Sequence, residues 1–288
     1  MTQIAFTKMH GIGNDYIYID CTQNRALREK DIKDFALQYC DRHFGIGADG
    51  VILVKKSRKA DFFMDMYNAD GSRGKMCGNG IRCLAAYVHG KKLTDKTELQ
   101  IETLSGIKTI ILEKISAKTY SATVDMGKPS FFCPDIPVGW SEDSMINEPL
   151  AIDGKLFNVT AVSMGNPHAV IFTKDVDKME IEKYGPLLEK HRLFPEGVNA
   201  EFAEIFDRKT IRMRVWERGS NETMACGTGA CATVAAAVVN GLSDRDCTVK
   251  LNGGDLNISW DKEKETITMI GPAEFVYDGS VRYIGSVN

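Results

Sequence analysis

Short strand-like runs rich in apolar positions recur along much of the chain. They occupy residues 4–8, 16–20, 50–54, 62–67, 97–103, 109–112 and 121–126, and again 157–164, 168–172, 199–205, 211–216, 248–251, 256–260 and 266–271. In 62–67 and 211–216 the apolar positions alternate, which puts successive side chains on opposite faces, and each run predicts a β-strand. Helical spacing is rarer. Residues 29–41 carry it, as do residues 179–190, where Gly185-Pro186 interrupts the pattern. Two further runs, 81–88 and 230–239, are Ala-rich and apolar nearly all round, which predicts helices buried on most sides. Strands far outnumber helices, so a doubly wound βαβ sheet fits poorly and an α+β fold is expected. Residues 127–149, with Pro129, Pro134, Pro137 and Pro149, read as an irregular connection.

The pattern repeats itself. The segment MDMYNADGSRGKMCGNG, starting at Met64, aligns without a gap with MRVWERGSNETMACGTG, starting at Met213. Met64 matches Met213, Tyr67 matches Trp216, Cys77 matches Cys226, Gly78 matches Gly227 and Gly80 matches Gly229. Each copy runs strand, polar loop, Cys-Gly-x-Gly, buried helix. A repeat spaced at about half the chain predicts two similar α+β halves.

Composition narrows the function classes. The 288 residues are 43% hydrophobic and 26% charged, which excludes a largely disordered chain. A net charge of −3 supplies no basic surface for a nucleic-acid backbone. No apolar run approaches the roughly 20 residues of a membrane span. The opening MTQIAFTKMHGIGNDY lacks the charged and then apolar pattern of a secretory signal, so a cytoplasmic location is expected. In that reducing compartment the eight cysteines are not needed as staples. Most, including Cys83 and Cys231, are expected as small buried hydrophobes. Without C-x-x-C or H-E-x-x-H, no metal site is expected. The stretch from Gly45 to Gly50 reads literally as G-x-G-x-x-G, but it leads into a strand instead of a helix and predicts no dinucleotide site.

Cys77 and Cys226 carry the chemistry. Each is expected at a helix N-terminus, where unpaired backbone N–H groups make a thiol lose its proton more easily than its ordinary pKa of about 8.5 implies. Either one alone would read as a buried core cysteine; the matched pair, each followed by Gly-x-Gly, points to function. In a duplicated fold a pseudo-twofold axis can bring the two helix N-termini face to face. One thiolate would then remove a proton from one face of a carbon and the opposite thiol would return one to the other, inverting a stereocentre. The pair would share one proton and titrate as a unit. The same N–H groups can bind the carboxylate beside the reacting carbon. Oxidation to a disulfide would silence the site. Asn14, Asn68, Asn79, Asn166 and Asn199 read singly as turn residues and together as neutral partners for a polar zwitterion. Glu217 with Arg218 reads either as an ammonium partner beside a carboxylate clamp or as an exposed ion pair. His168 reads equally as a core or loop histidine.

Taken in order, MHGIGNDY, HFGIGADG, YNADGS, MCGNGIRC, GNPHAV, EGVNAEF, WERGSNET and ACGTGACA resemble the diaminopimelate epimerase family from Met9 to about Ala232, and GPAEFVYDG resembles its C-terminal end. Proline racemase-like relatives share the two-cysteine plan but usually carry histidine at the position of Asn79 and lack the ERG segment. The resemblance implies two pseudo-symmetric α+β domains, each a curved, barrel-like mixed sheet wrapped around a central helix. The expected halves are residues 1–124 with 274–288, carrying Cys77, and residues 125–273, carrying Cys226. It further implies a cofactor-independent isomerase of LL- and meso-diaminopimelate in lysine and peptidoglycan precursor biosynthesis, with a homodimer as a compatible assembly. Cys77 and Cys226 would be the acid/base pair. Asn14, Asn68, Asn166, Asn199 and Arg218 would hold the distal substrate. Gly78, Asn79, Gly227 and Thr228 would bind the reacting carboxylate. His168 and Glu217 would tune the thiols, with Glu217 also reaching the substrate. Asn221 stands where the family more often has glycine, and Gly50 where some members carry glutamine.

Two other readings compete. A racemase of a different amino acid, such as proline or histidine, would use the same thiols. A non-catalytic binding or redox-sensing protein would use Cys77 and Cys226 as a regulatory disulfide. Solvent-isotope exchange at a substrate Cα separates the enzymes from the binder.

Overall fold

A computed structural model describes residues 2–23 and 27–284. The chain divides into two compact units, residues 1–124 with 271–288 and residues 125–270. The first unit contains β1 (Thr2–Gly11), β2 (Asn14–Asp20), α1 (Glu29–Tyr39), β3 (Gly50–Lys56), β4 (Phe62–Asn68), β5 (Arg73–Gly74), α2 (Gly78–Gly90), β6 (Glu98–Thr103), β7 (Gly106–Lys114) and β8 (Thr119–Gly127), whose last residues lead out of it. The second contains β9 (Glu148–Ile152), β10 (Lys155–Ser163), β11 (Pro167–Phe172), α3 (Ile181–Glu189), β12 (Asn199–Asp207), β13 (Thr210–Glu217), β14 (Asn221–Thr223), α4 (Gly227–Val239), β15 (Asp246–Leu251) and β16 (Gly254–Trp260). The long β17 (Ile267–Tyr283) begins in the second unit and ends in the first.

In the first unit β1, β2, β3, β4, β6, β7 and β8 pair in sequence, and β17 pairs with both β8 and β1, which closes an eight-stranded ring. The β2–β3 and β4–β6 pairs are parallel and the other registered pairs antiparallel. The second unit repeats the plan: β9, β10, β11, β12, β13, β15, β16 and the start of β17 pair in sequence, with β11–β12 and β13–β15 parallel. The fold is α+β with two pseudo-symmetric domains, each a curved mixed sheet around a central helix.

The Ala-rich runs become those central helices. All of Gly78 to Val88 is buried in α2, which packs on β1, β2, β3, β6 and β7. In α4, Ala230, Ala232, Ala235, Ala236 and Ala237 are fully buried against β10 to β13, β15 and β16. Small side chains let a helix sit inside a curved sheet without voids. Cys83 and Cys231 lie in these helices as buried small side chains, as expected.

Helices α1 and α3 cover the outer faces. Ile32 and Phe35 of α1 share a core with Ile17, Ile19, Val51 and Leu53. Strands β2 and β3 are therefore buried on both faces, which is why their apolar runs are nearly continuous. Helix α3 contains Pro186 without ending there. A Cβ at Gly185 would lie 2.5 Å from Trp216 Cγ, so this glycine lets the helix rest directly on the indole. The apolar contact of Ile181, Tyr184 and Leu188 offsets the hydrogen bond that Pro186 cannot donate.

The stretch read as an irregular connection is irregular only in part, because β9 forms within it with Pro149 as its second residue. The terminal strand is longer than the run 266–271 predicts. Its far part pairs with β1 from His10↔Glu274 to Thr2↔Tyr283 and returns the chain to the first unit, while residues 285–288 of the expected return lie outside the described residues. Among the described residues, no helix is long and apolar enough to cross a membrane.

Candidate active site

In the first unit the functional candidates gather at one end of the ring. Cys77 is the N-cap of α2, in extended conformation at φ −132°, and its Sγ accepts the Gly80 N–H at 3.3 Å. The thiol also lies 3.4 Å from Asn14 Oδ1 at the start of β2. Asn14 is held from behind by its Nδ2 donating to Asp49 Oδ2 at 2.7 Å. Gly50 pairs with both Tyr16 and Asn68, which brings the end of β4 to the same place. The Asn68 amide donates to Ser72 Oγ at 3.0 Å. Gly78 and Asn79 form the first turn of α2, and the Asn79 carbonyl accepts from Arg82 Nη1 at 2.9 Å. That side chain is 2% exposed, so Asn79 faces the protein interior. A Cβ at Gly50 would collide with the Tyr67 carbonyl oxygen, so this strand start has no room for a side chain. As expected, the Gly45-to-Gly50 motif leads into a strand.

The second unit builds the matching arrangement. Cys226 is the N-cap of α4 at φ −123°, and its Sγ accepts the Gly229 N–H at 3.3 Å. Thr228 Oγ1 is 3.5 Å from the same sulfur. The parallel register His168↔Asn199 and the antiparallel Ala200↔Trp216 bring the starts of β11 and β12 and the end of β13 together at this cap. His168 is fully buried, with Nδ1 2.6 Å from Glu201 Oε1 and Nε2 3.1 Å from Asn166 Oδ1. Asn166 in turn donates to Thr228 Oγ1 at 3.3 Å. Glu217 accepts from Thr223 Oγ1 at 2.5 Å and from the Cys226 thiol.

Asn199 is committed on both ends of its amide: Nδ2 donates to the Pro167 carbonyl at 3.0 Å and Oδ1 accepts the Arg218 backbone N–H at 2.9 Å. Arg218 is exposed and donates to the Glu196 carbonyl at 2.7 Å. Gly197, at φ +73°, makes room for it, since a Cβ there would lie 2.9 Å from Arg218 Cδ. Asn221 takes φ +63°, which asparagine tolerates in place of glycine.

One electrostatic expectation is corrected. Cys226 is 5% exposed, and burial, with the Glu217 carboxyl beside it, pushes its thiol well above the ordinary range. The Gly229 N–H and Thr228 hydroxyl pull the other way and are outweighed. Helix-terminus stabilisation is worth about 1 kcal/mol, less than the cost of removing a thiolate from water beside an acid. Burial also pushes the carboxyls of Glu217 and Glu201 up.

Glu201, Asp49 and Arg82 escaped the sequence reading. Strand alternation places Glu201 on the same face as Asn199, so an acid beside a functional asparagine was the available signal. Nothing local marks Asp49.

The family model described as diaminopimelate epimerase matches residues 6–132 and 160–276. The chain belongs to the diaminopimelate epimerase family. It is 50% identical over 278 residues to the diaminopimelate epimerase of Acetivibrio thermocellus, covering 96% of this chain and 98% of that one. It is 49% identical over 288 residues to that of Agathobacter rectalis, covering 98% and 100%. Family membership makes it an isomerase of the amino-acid epimerase class. A crystal structure of a hydroxyproline epimerase from Agrobacterium vitis superposes with a TM-score of 0.70 at 14% identity, over 97% of this chain and 92% of that one, a likeness of fold.

Proposed function

We propose that this epimerase interconverts LL- and meso-2,6-diaminopimelate by a cofactor-independent, two-thiol mechanism, in lysine and peptidoglycan precursor biosynthesis. The observation that carries the reading is the duplicated cap: each central helix begins at a cysteine whose sulfur accepts the N–H three residues on, at 3.3 Å in both. An acid/base thiol needs stabilisation of its anion at a fixed point, and the cap supplies both.

In the proposed reaction one substrate engages both half-sites. One sulfur removes the Cα proton, the electron pair passes into the adjacent carboxylate, and the other sulfur delivers its proton to the opposite face. The buried Cys226, held protonated by its acidic surroundings, starts as the donor, and Cys77 starts as the base. Backbone N–H groups of the first turns, at Gly78, Asn79, Gly227 and Thr228, bind the reacting carboxylate and the charge that develops on it. Asn14, Asn68, Asn166 and Arg218 hold the distal end, and Asn199 fixes the backbone from which Arg218 reaches. Glu217 meets the substrate ammonium, and with His168 it tunes Cys226.

The test is incubation of reduced protein with LL-diaminopimelate in D2O without added cofactor. Deuterium at Cα of newly formed meso isomer is the expected result. Absence of exchange with free thiols sinks the assignment and moves the search to proline and histidine.

A further inference from the structure

Glu201 is a fully buried acid on β12 that the proposed chemistry does not use. It begins an unbroken line of contacts ending at the second sulfur. Glu201 Oε1 lies 2.6 Å from His168 Nδ1, His168 Nε2 lies 3.1 Å from Asn166 Oδ1, Asn166 Nδ2 donates to Thr228 Oγ1 at 3.3 Å, and Thr228 Oγ1 is 3.5 Å from Cys226 Sγ. We infer that Glu201 is a positioning residue: as a neutral acid it donates to His168 Nδ1, keeps the histidine proton on Nε2, and so orients the Asn166–Thr228 line to donate into the Cys226 sulfur.

The direction follows from donor and acceptor accounting. Asn166 presents its carbonyl oxygen to Nε2, so Nε2 must carry a hydrogen. With Nε2 protonated, a neutral imidazole has only a lone pair at Nδ1, and the group facing it must donate. Asn166 then donates its amide hydrogen to Thr228 Oγ1, which leaves the hydroxyl hydrogen for sulfur. The second carboxyl oxygen, Oε2, is buried without a hydrogen-bond partner among the described residues, an arrangement that suits a neutral acid far better than a carboxylate. Burial holding the Glu201 carboxyl above its ordinary range agrees with this. The approach is built in: a Cβ at Gly229 would lie 2.7 Å from Glu201 Oε1 and 3.2 Å from Cys226 Sγ, so only glycine in this cap lets the acid come so near.

The opposite polarity of the same line would have Thr228 accept from the Cys226 thiol. A proton fixed on Nε2 therefore favours the thiolate and brings its formation within reach of a buried sulfur. The titratable groups facing Cys226 are Glu217 from β13 and Glu201 from β12, and His168 from β11 faces both acids. The inference rests on reading Cys226 as the acid/base group of the second half, and its test is independent of turnover.

The first measurement is the ring nitrogen and carbon chemical shifts of His168 in the wild-type protein at neutral pH. The Nε2–H form is expected, and the Nδ1–H form overturns the inference. The second is the pH midpoint of Cys226 alkylation by iodoacetamide, read by peptide mass spectrometry, in E201Q and E201L. A glutamine amide can still donate to Nδ1, so E201Q is expected to keep the Nε2–H form and a midpoint near that of wild type. E201L cannot donate, and its midpoint is expected to rise by about one pH unit, the tenfold effect of one hydrogen bond. A falling midpoint in E201L would show a charged Glu201 acting by repulsion and overturns the inference, as does E201Q behaving like E201L. If E201L does not fold, T228V breaks the last contact and carries the same expected rise; an unmoved midpoint there overturns it too. Loss of epimerase activity in the substrate assay with an intact Nε2–H signature would fault the function and leave the relay standing.

Discussion

Asn199 holds the backbone N–H of Arg218 at 2.9 Å while its other end holds the Pro167 carbonyl, so one buried amide joins β11, β12 and the turn after β13. Arg218 itself is exposed, and its guanidinium is aimed by this turn and by the Glu196 carbonyl. Asn199→Ala therefore removes the aim and keeps the charge. KM is expected to rise about tenfold, for one buried hydrogen bond lost, with kcat changed much less. Gly197→Ala should give the same split, since its Cβ would press on Arg218 Cδ from a backbone at φ +73°. Steady-state kinetics in both directions check this; a KM equal to wild type in both variants refutes the positioning role.

The duplicated cap predicts a separation of exchange from inversion. In Cys226→Ala the remaining Cys77 can remove a proton and return one from solvent to the same face, and Cys77→Ala leaves the converse. Each variant is expected to lose inversion by a factor of about 100 to 10,000, the usual range for a general acid or base. Each should retain slow Cα exchange with one epimer only. Chiral chromatography with mass detection reads both quantities, and inversion near the wild-type rate in either variant eliminates the two-thiol mechanism.

On the first side the corresponding support is Asp49. It accepts from Asn14 Nδ2 at 2.7 Å and from the Asp15 backbone N–H at 3.0 Å, and Arg42 Nη2 bridges it to Asp15 at 2.8 and 2.7 Å. Asp49→Ala frees Asn14 to rotate away from Cys77. The expected result is a loss of about tenfold in kcat/KM, the scale of one charge-assisted hydrogen bond, and an altered alkylation rate at Cys77 with Cys226 unaffected. Equal effects on both cysteines would mean a general loss of structure.

These supports explain what the sequence could and could not disclose. Cys77, Cys226 and their glycines were legible because a 17-residue block recurs with its spacing intact, and spacing is what a helix cap needs. The central helices were legible because Ala-rich runs without a polar face have no other place to go. Glu201 and Asp49 were not, because their roles arise from strand register. His168 faces Glu201 only after β11 and β12 pair in parallel with 26 residues of chain between them, and no local pattern encodes that pairing. The thiol environment misled for a related reason. A helix N-terminus is visible in sequence, but the burial that outweighs it, and the Glu217 carboxyl brought by β13, are not.

That balance can be inverted by one substitution. Cys226 donates to Glu217, and burial together with the carboxyl's charge raises the thiol well above its ordinary range. Glu217→Gln removes the charge and weakens the acceptor, so the pH midpoint for Cys226 alkylation should fall by about one unit, the equivalent of about 1.4 kcal/mol. Stability should move with pH as well. The folded Glu217 carboxyl has a raised pKa, so the protonated form is favoured by folding; its contribution is complete below the ordinary 4.5 and is lost as pH climbs through the raised value. The wild-type melting temperature should therefore decline, relative to Glu217→Gln, as pH rises from about 4.5 towards neutrality. Parallel melting curves across that range, or a midpoint that rises in the variant, would show that Glu217 does not set the protonation of Cys226.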